Sequence, residues 1–239
     1  MFKKTYHIIS ILFLAGFVLT ENYLYSQCDD CVSVSQEIQV LNKGIKSVFK
    51  CDIFYNKEKD AIVTHHYYPV EFVKMSNRYG EMKMYFPETN TVTLQQNQTL
   101  STTNELLYYF VNNDISDLGL SKEGFTLVKT SNENGMMVTT WQAPENLLVV
   151  NQIRIVFKDR RPVYSEYINL KGDIIKKIYY GKYADVNTFS LPLRITEISF
   201  ESKEDSTIRL SVFTNLRTTD FPENNYFNFT IPDDAKIIK

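Results

Sequence analysis

Three cysteines and one pair of adjacent histidines are the residues of this chain whose types and spacing could do chemistry. Cys28 and Cys31 form a C-x-x-C pair, and Cys51 follows alone. A redox dithiol needs a helix N-terminus or basic neighbours to lower the thiol pKa, whereas here Asp29 and Asp30 fill the spacer and raise it. No second C-x-x-C and no well-spaced histidine follows to complete a tetrahedral metal site. The remaining reading is one structural disulfide tying the N-terminal segment to the first strand, as an oxidising compartment allows. His65 and His66 are neighbours in a strand-like stretch, so they point to opposite faces and cannot chelate one metal ion. A nucleophile elbow G-x-S-x-G is absent. Asp233 and Asp234 next to Pro232 read as turn chemistry, and the charge runs Lys57 to Asp60 and Glu201 to Asp205 as solvated hairpin tips. The chain therefore reads as a non-enzyme, with no catalytic residue, no metal site and no cofactor.

The elements that would position these residues are mostly strands. Tyr and Phe number 16 each against one Trp and 8 Gly, a composition that favours strands and argues against Gly-rich phosphate loops. The formal net charge of −2 provides no electrostatic footprint for nucleic acid. At the start, Lys3 and Lys4 precede an apolar run from Ile8 to Leu19, the layout of a secretory signal. We expect cleavage near Ser26 or Gln27, hence a signal at 1–27 and a single domain at 28–239. The residues before Cys28 lack the Leu and the small residue of a lipoprotein signal, so a soluble exported protein is expected in preference to a membrane-anchored one.

Val34, Ile38, Leu41 and Ile45 recur at helical spacing and predict an amphipathic helix over Ser33 to Ser47. From Val48 the period becomes two, placing Phe49, Cys51, Ile53 and Tyr55 on one face. NKEKD turns the chain, and AIVTHHYYPVEFVKM returns it as a long strand that Pro69 should bend or place near an edge. A second hairpin with PETN as its turn places Met82, Met84 and Phe86 on one face. NELLYYFV breaks the pattern with a helical stripe of Leu106, Leu107, Phe110 and Val111, and DISDLGLSKEG reads as a second short helix. Strands resume to the end, where Phe227, Phe229 and Ile231 form an apolar row in a terminal strand. About ten or eleven antiparallel strands with so few helices must curl, because a long sheet twists and has no second layer to cover it. The expected fold is mainly β: a curved antiparallel sheet forming a half-open, incomplete barrel covered by a few short α-helices.

This order of elements resembles the periplasmic lipoprotein-carrier family LolA and its relatives, including LolB. The resemblance is carried by Lys46 and Ser47 closing the first helix and by Gly80 with the EMKMYFPETNTVTL hairpin. The hairpin ITEISFESKEDSTIRLSVF and a tail containing Phe227, Phe229, Pro232 and Ile237 complete it. It departs from the family at Pro69, which is followed by VEFVKMSN with neither the Arg nor the Trp that help latch the family's lid. The resemblance implies a periplasmic, monomeric carrier that shuttles acylated lipoprotein or other lipid cargo toward the outer membrane. An inner-membrane transporter would deliver the cargo and an outer-membrane acceptor receive it. Acyl chains are held by apolar area alone, about 0.8 kcal/mol per buried methylene, on walls rich in aromatics and adaptable Met. The lipid-binding candidates are Phe72, Met75, Met82, Met84 and Phe86 on the strands, with Leu106, Leu107 and Phe110 on a lid. The alternative is an exported, non-enzymatic ligand- or partner-binding sensor module of the same fold; a hydrolase comes third.

Overall fold

The computed structural model describes residues 30–186, 188–201, 205–222 and 225–238; the expected signal segment, and Cys28 with it, lies outside them. The strands, in chain order, are β1 (Cys31–Asn42), β2 (Ile45–Asn56), β3 (Ala61–Tyr68), β4 (Phe72–Asn77), β5 (Glu81–Phe86) and β6 (Thr91–Gln96). After the helix α1 (Leu106–Val111) come β7 (Thr126–Glu133), β8 (Met136–Gln142), β9 (Gln152–Lys158) and β10 (Arg161–Ile168). The last four are β11 (Ile174–Val186), β12 (Phe189–Phe200), β13 (Ser206–Arg217) and β14 (Lys236–Ile238).

All fourteen strands join in one sheet, in the order β14-β6-β5-β4-β3-β2-β1-β13-β12-β11-β10-β9-β8-β7. The sheet is curved and does not close on itself, which is the half-open form expected of a twisted meander without a second layer. Each hairpin is antiparallel, and only β14 runs parallel to its neighbour β6. Closure of the order in the middle comes from β1 pairing with β13 along nine registered positions from Ser33 to Asn42.

The helix expected over Ser33 to Ser47 is instead the hairpin β1–β2. Val32, Val34, Ile38 and Val40 also alternate with period two, and β-branched side chains suit that alternation better than a helix. The turn settles the choice. Lys43 and Gly44 both have positive φ, +48° and +80°, between the paired residues Asn42 and Ile45, the backbone of a tight two-residue hairpin that glycine accepts without strain. Lys46 and Ser47 accordingly lie in β2 and close no helix.

Two further expectations change. The long strand around Pro69 is two strands, because proline cannot continue a hydrogen-bonded ladder; the chain reverses there, with Tyr68 opposite Lys50 and Phe72 opposite His66. In the tail, Phe227 lies in a turn, and the strand is Lys236–Ile238. DISDLGLSKEG is a succession of hydrogen-bonded turns, such as Leu120 N–H to the Asp117 carbonyl, 3.1 Å. Cys31 is disulfide-bonded, whereas Cys51 is a buried free thiol and takes no part in that link.

The face that carries α1 is here called inner. Its main core joins Val32, Val34, Ile53, Tyr55 and Ile62 with Tyr180, Leu191 and Ile195 under Leu107, Phe110 and Val111. A second inner cluster packs Leu120 and Phe125 on Trp141, Ile153, Ile155 and Phe157. On the outer face Phe54, Val63 and Val73 are covered by Met75 and by Tyr226, Phe227 and Phe229 of the tail, so the C-terminal aromatics roof the outside of the sheet.

Candidate functional site

The site is built on the inner face by the alternation of five adjacent strands. Register places Ile38 opposite Phe49 and Val40 opposite Ser47 on β1 and β2, Cys51 opposite His66 on β3, and His66 opposite Phe72 on β4. Arg209 of β13 lies opposite Val40 on the other side. Ile38, Val40, Phe49, His66, Phe72 and Arg209, together with Tyr68, Pro69 and Val70 of the β3–β4 turn, line a cavity of about 400 Å³. That is the size of a small-molecule site, for which roughly 300–1,000 Å³ is usual. The lining is aliphatic and aromatic apart from His66 and Arg209.

His66 is held neutral. Burial is the main cause and the nearby Lys74 the second, and together they bring its pKa down to about 4. Its ring stacks on Phe72 with centroids 4.2 Å apart, so at neutral pH it behaves as part of the apolar wall. His65, one residue earlier, points to the outer face, where it stacks on Tyr226 at 4.5 Å and lies 2.9 Å from the Glu71 carboxylate. The two histidines thus serve opposite faces, as strand alternation requires.

Beside the cavity the inner face is plugged by α1. The helix has a single turn and a half, too short to hold itself without tertiary contacts. Glu105, the residue just before it, receives a hydrogen bond from Lys74 Nζ at 3.0 Å. At its other end Asn112 Nδ2 donates to the Tyr55 hydroxyl at 2.9 Å, and Tyr55 in turn donates to Asp60 Oδ1 at 3.0 Å. Asp60 is also ion-paired to Arg78, and its carbonyl accepts from Thr102 Oγ1 at 2.9 Å. Expected capping by Ser or Thr is found one turn earlier, where Ser101 accepts from the Thr103 N–H; Glu105 itself caps nothing with its side chain.

The eight sequence candidates are divided by this geometry. Phe72 lines the cavity. Phe86 does not line it but lies beside Phe72, the two ring centroids 5.8 Å apart. Met82 and Met84 share the inner face two positions apart on β5, opposite Ser76 and Lys74 of β4. Met75 faces outward, against the tail cluster. Leu107 and Phe110 are fully buried in the main core, with Leu106 packed at its edge.

No protein-family model matches the chain, and no curated protein matches it in sequence. Solved structures do match it in fold. A LolA superfamily protein from Nitrosomonas europaea aligns over 81% of this chain and 88% of its own, with a TM-score of 0.53 at 12% identity. A domain described as outer-membrane lipoprotein-sorting, from Vibrio parahaemolyticus, aligns over 83% and 89%, with a TM-score of 0.55 at 16% identity. The chain has a LolA-like fold.

Within that LolA-like fold, Phe72 is the one lining residue among the sequence candidates; Ile38, Val40, Phe49, His66, the Tyr68–Val70 turn and Arg209 were not among them. Ile38 and Val40 were hidden by the helical reading of β1, although the Asn-Lys-Gly turn after them is a hairpin signal. Arg209 carries no motif; only the pairing of β13 with β1, some 170 residues apart in sequence, brings it to the cavity.

Proposed function

We propose that this protein is an exported, non-enzymatic carrier that holds an acyl chain of a lipoprotein or other lipid in the inner-face cavity and ferries it through the periplasm toward the outer membrane. The observation that supports this reading is an apolar cavity on a LolA-like sheet whose lining holds one neutral histidine and one arginine among aliphatic and aromatic side chains. Burying methylenes there contributes about 0.8 kcal/mol each, without directional bonds, so release needs no chemical step. The Arg209 guanidinium at the wall fits a carboxylate or phosphate head group. Phe72 forms part of the wall, with Phe86, Met82 and Met84 as adjoining apolar surface farther along the same face. The protein acts as a monomer, loaded by an inner-membrane transporter and unloaded to an outer-membrane acceptor.

Mass spectrometry of a lipid extract of the protein purified from its own host tests this: acyl chains should co-purify in near-stoichiometric amount and disappear from Val40→Asp. A wild-type protein free of lipid contradicts the reading. The ties at both ends of α1 favour a second reading, a sensor or partner-binding module of fixed shape. It would retain its lipid and fail to pass it to vesicles, whereas a carrier exchanges it.

A further inference from the structure

We infer that the end of the sheet onto which the cavity opens is a membrane-docking rim that inserts apolar turn residues into a zwitterionic phospholipid surface; this rests on the carrier reading above and names the surface with which the site exchanges cargo.

Strand register assigns every turn to one of two ends. The turns β1–β2, β3–β4 and β10–β11 and the loop β8–β9 lie at the same end, since Asn42 pairs with Thr207, Lys50 with Tyr68, and Gln152 with both Ile168 and Gln142. Exposed apolar side chains concentrate there: Ile45 is 72% exposed, Leu148 75%, Val149 67% and Leu170 65%, and Tyr68 and Val70 also face solvent. Turns at the opposite end are polar: Lys57 to Asp60, Asn134–Gly135 and Asp159–Arg160. In the β4–β5 turn, also at that end, Tyr79 is the one large exposed apolar side chain that the turns there hold among the described residues. Other exposed apolar side chains, such as Leu94, Val128 and Met137, lie along strands; apolar residues placed singly on a surface need no explanation, but their concentration in the turns of one end does.

Separate projecting tips on a curved rim match a deformable bilayer interface better than a rigid protein groove. Tyr67 and Tyr68 are the amphipathic aromatics that sit at head-group depth. The charges between the tips are mixed, with Lys43, Lys46 and Lys171 set among Glu71, Asp173, Glu201 and Asp205. Insertion of apolar side chains therefore drives the contact, and anionic lipid is not required. The cavity is continuous with this rim, because Tyr68 and Val70 belong to both. A docked molecule thus presents its cavity mouth to the bilayer, and an acyl chain passes without crossing water.

The test is flotation of the exported protein with phosphatidylcholine vesicles, run beside solution binding of a fluorescent fatty acid. Wild type should float. Leu148→Asp/Leu170→Asp should lose at least about tenfold in vesicle partition while binding the fatty acid as wild type does, and Tyr79→Asp should float unchanged. In Leu148→Trp, vesicles should shift the added indole emission to the blue. Failure of wild type to float, or flotation of the double variant equal to it, overturns the rim and leaves those tips to a protein partner. Fatty-acid binding reads the cavity separately: a protein that floats but binds no fatty acid keeps the rim and loses the carrier reading, and the converse result does the reverse.

Discussion

Strand β2 is dry at one end and open at the other. At its C-terminal end Cys51, Ile53 and Tyr55 lie under α1 in the main core, and Phe110 above them is 1% exposed. At its N-terminal end Phe49 belongs to the same inner row yet is 39% exposed and lines the cavity. One alternation, one face and one residue class thus produce a solid core and a binding surface. The difference is what stands opposite: α1, tied at both ends, covers the first and nothing in the described chain covers the second.

The sharpest way to break this contrast is to delete one aromatic from each end. Phe110→Ala should destabilise by about 3–5 kcal/mol, because its packed site cannot collapse. Phe49→Ala should cost about 1 kcal/mol or less, since little of its contact area is lost to a cavity. Denaturant titration compares the two; equal losses would mean that the open end is ordinary core.

Between pH 6.5 and 4, acid should act on the open end through His66. With its pKa brought down to about 4 in the fold against 6.5 in the unfolded chain, His66 stays neutral while the unfolded chain takes up a proton. Its contribution to stability is therefore full above pH 6.5 and is lost as pH falls from 6.5 to about 4. His66→Phe, which keeps a ring against Phe72, should flatten that part of the stability-versus-pH curve; an unchanged slope would place its cause elsewhere.

Smaller effects probe the dry end. Lys74→Ala removes the half-buried pair with Glu105 and should cost about 0.5–1 kcal/mol, seen chiefly as faster amide exchange in 106–111. Cys51, whose thiol is pushed up to about 12 mainly by burial, should resist alkylation in the native protein at pH 8 and react once unfolded. Rapid native alkylation would show that α1 opens often.

Much of this contrast was legible in the sequence and part was not. Period-two alternation disclosed the inner row of β2, the Met82–Met84–Phe86 face and the succession of strands after α1, because turn residues and β-branched runs agree locally there. The β1 segment failed because Val34 and Ile38 fit both a helical stripe with Leu41 and Ile45 and a period-two row with Val32 and Val40, and only the turn at Lys43 and Gly44 separates the two. The tail failed for another reason: Phe227 and Phe229 are held by packing on Phe54 and Val73, a long-range contact with no local pattern. The same limit applies to the site. Phe72 could be chosen by residue type, but Met75 and Phe72 differ in face by one register step beyond a turn at Pro69, and Arg209 reaches the cavity only through sheet order.

Photo-crosslinking with a diazirine-bearing palmitate, followed by peptide mass spectrometry, tests most directly whether the uncovered half of the inner face is where an acyl chain lies. Label should fall on peptides containing Ile38, Val40, Phe49 and Phe72 and should be competed by unlabelled palmitate. Label concentrated instead on the covered strands, around Trp141, Ile153 and Ile155, or no competable label at all, would contradict that assignment.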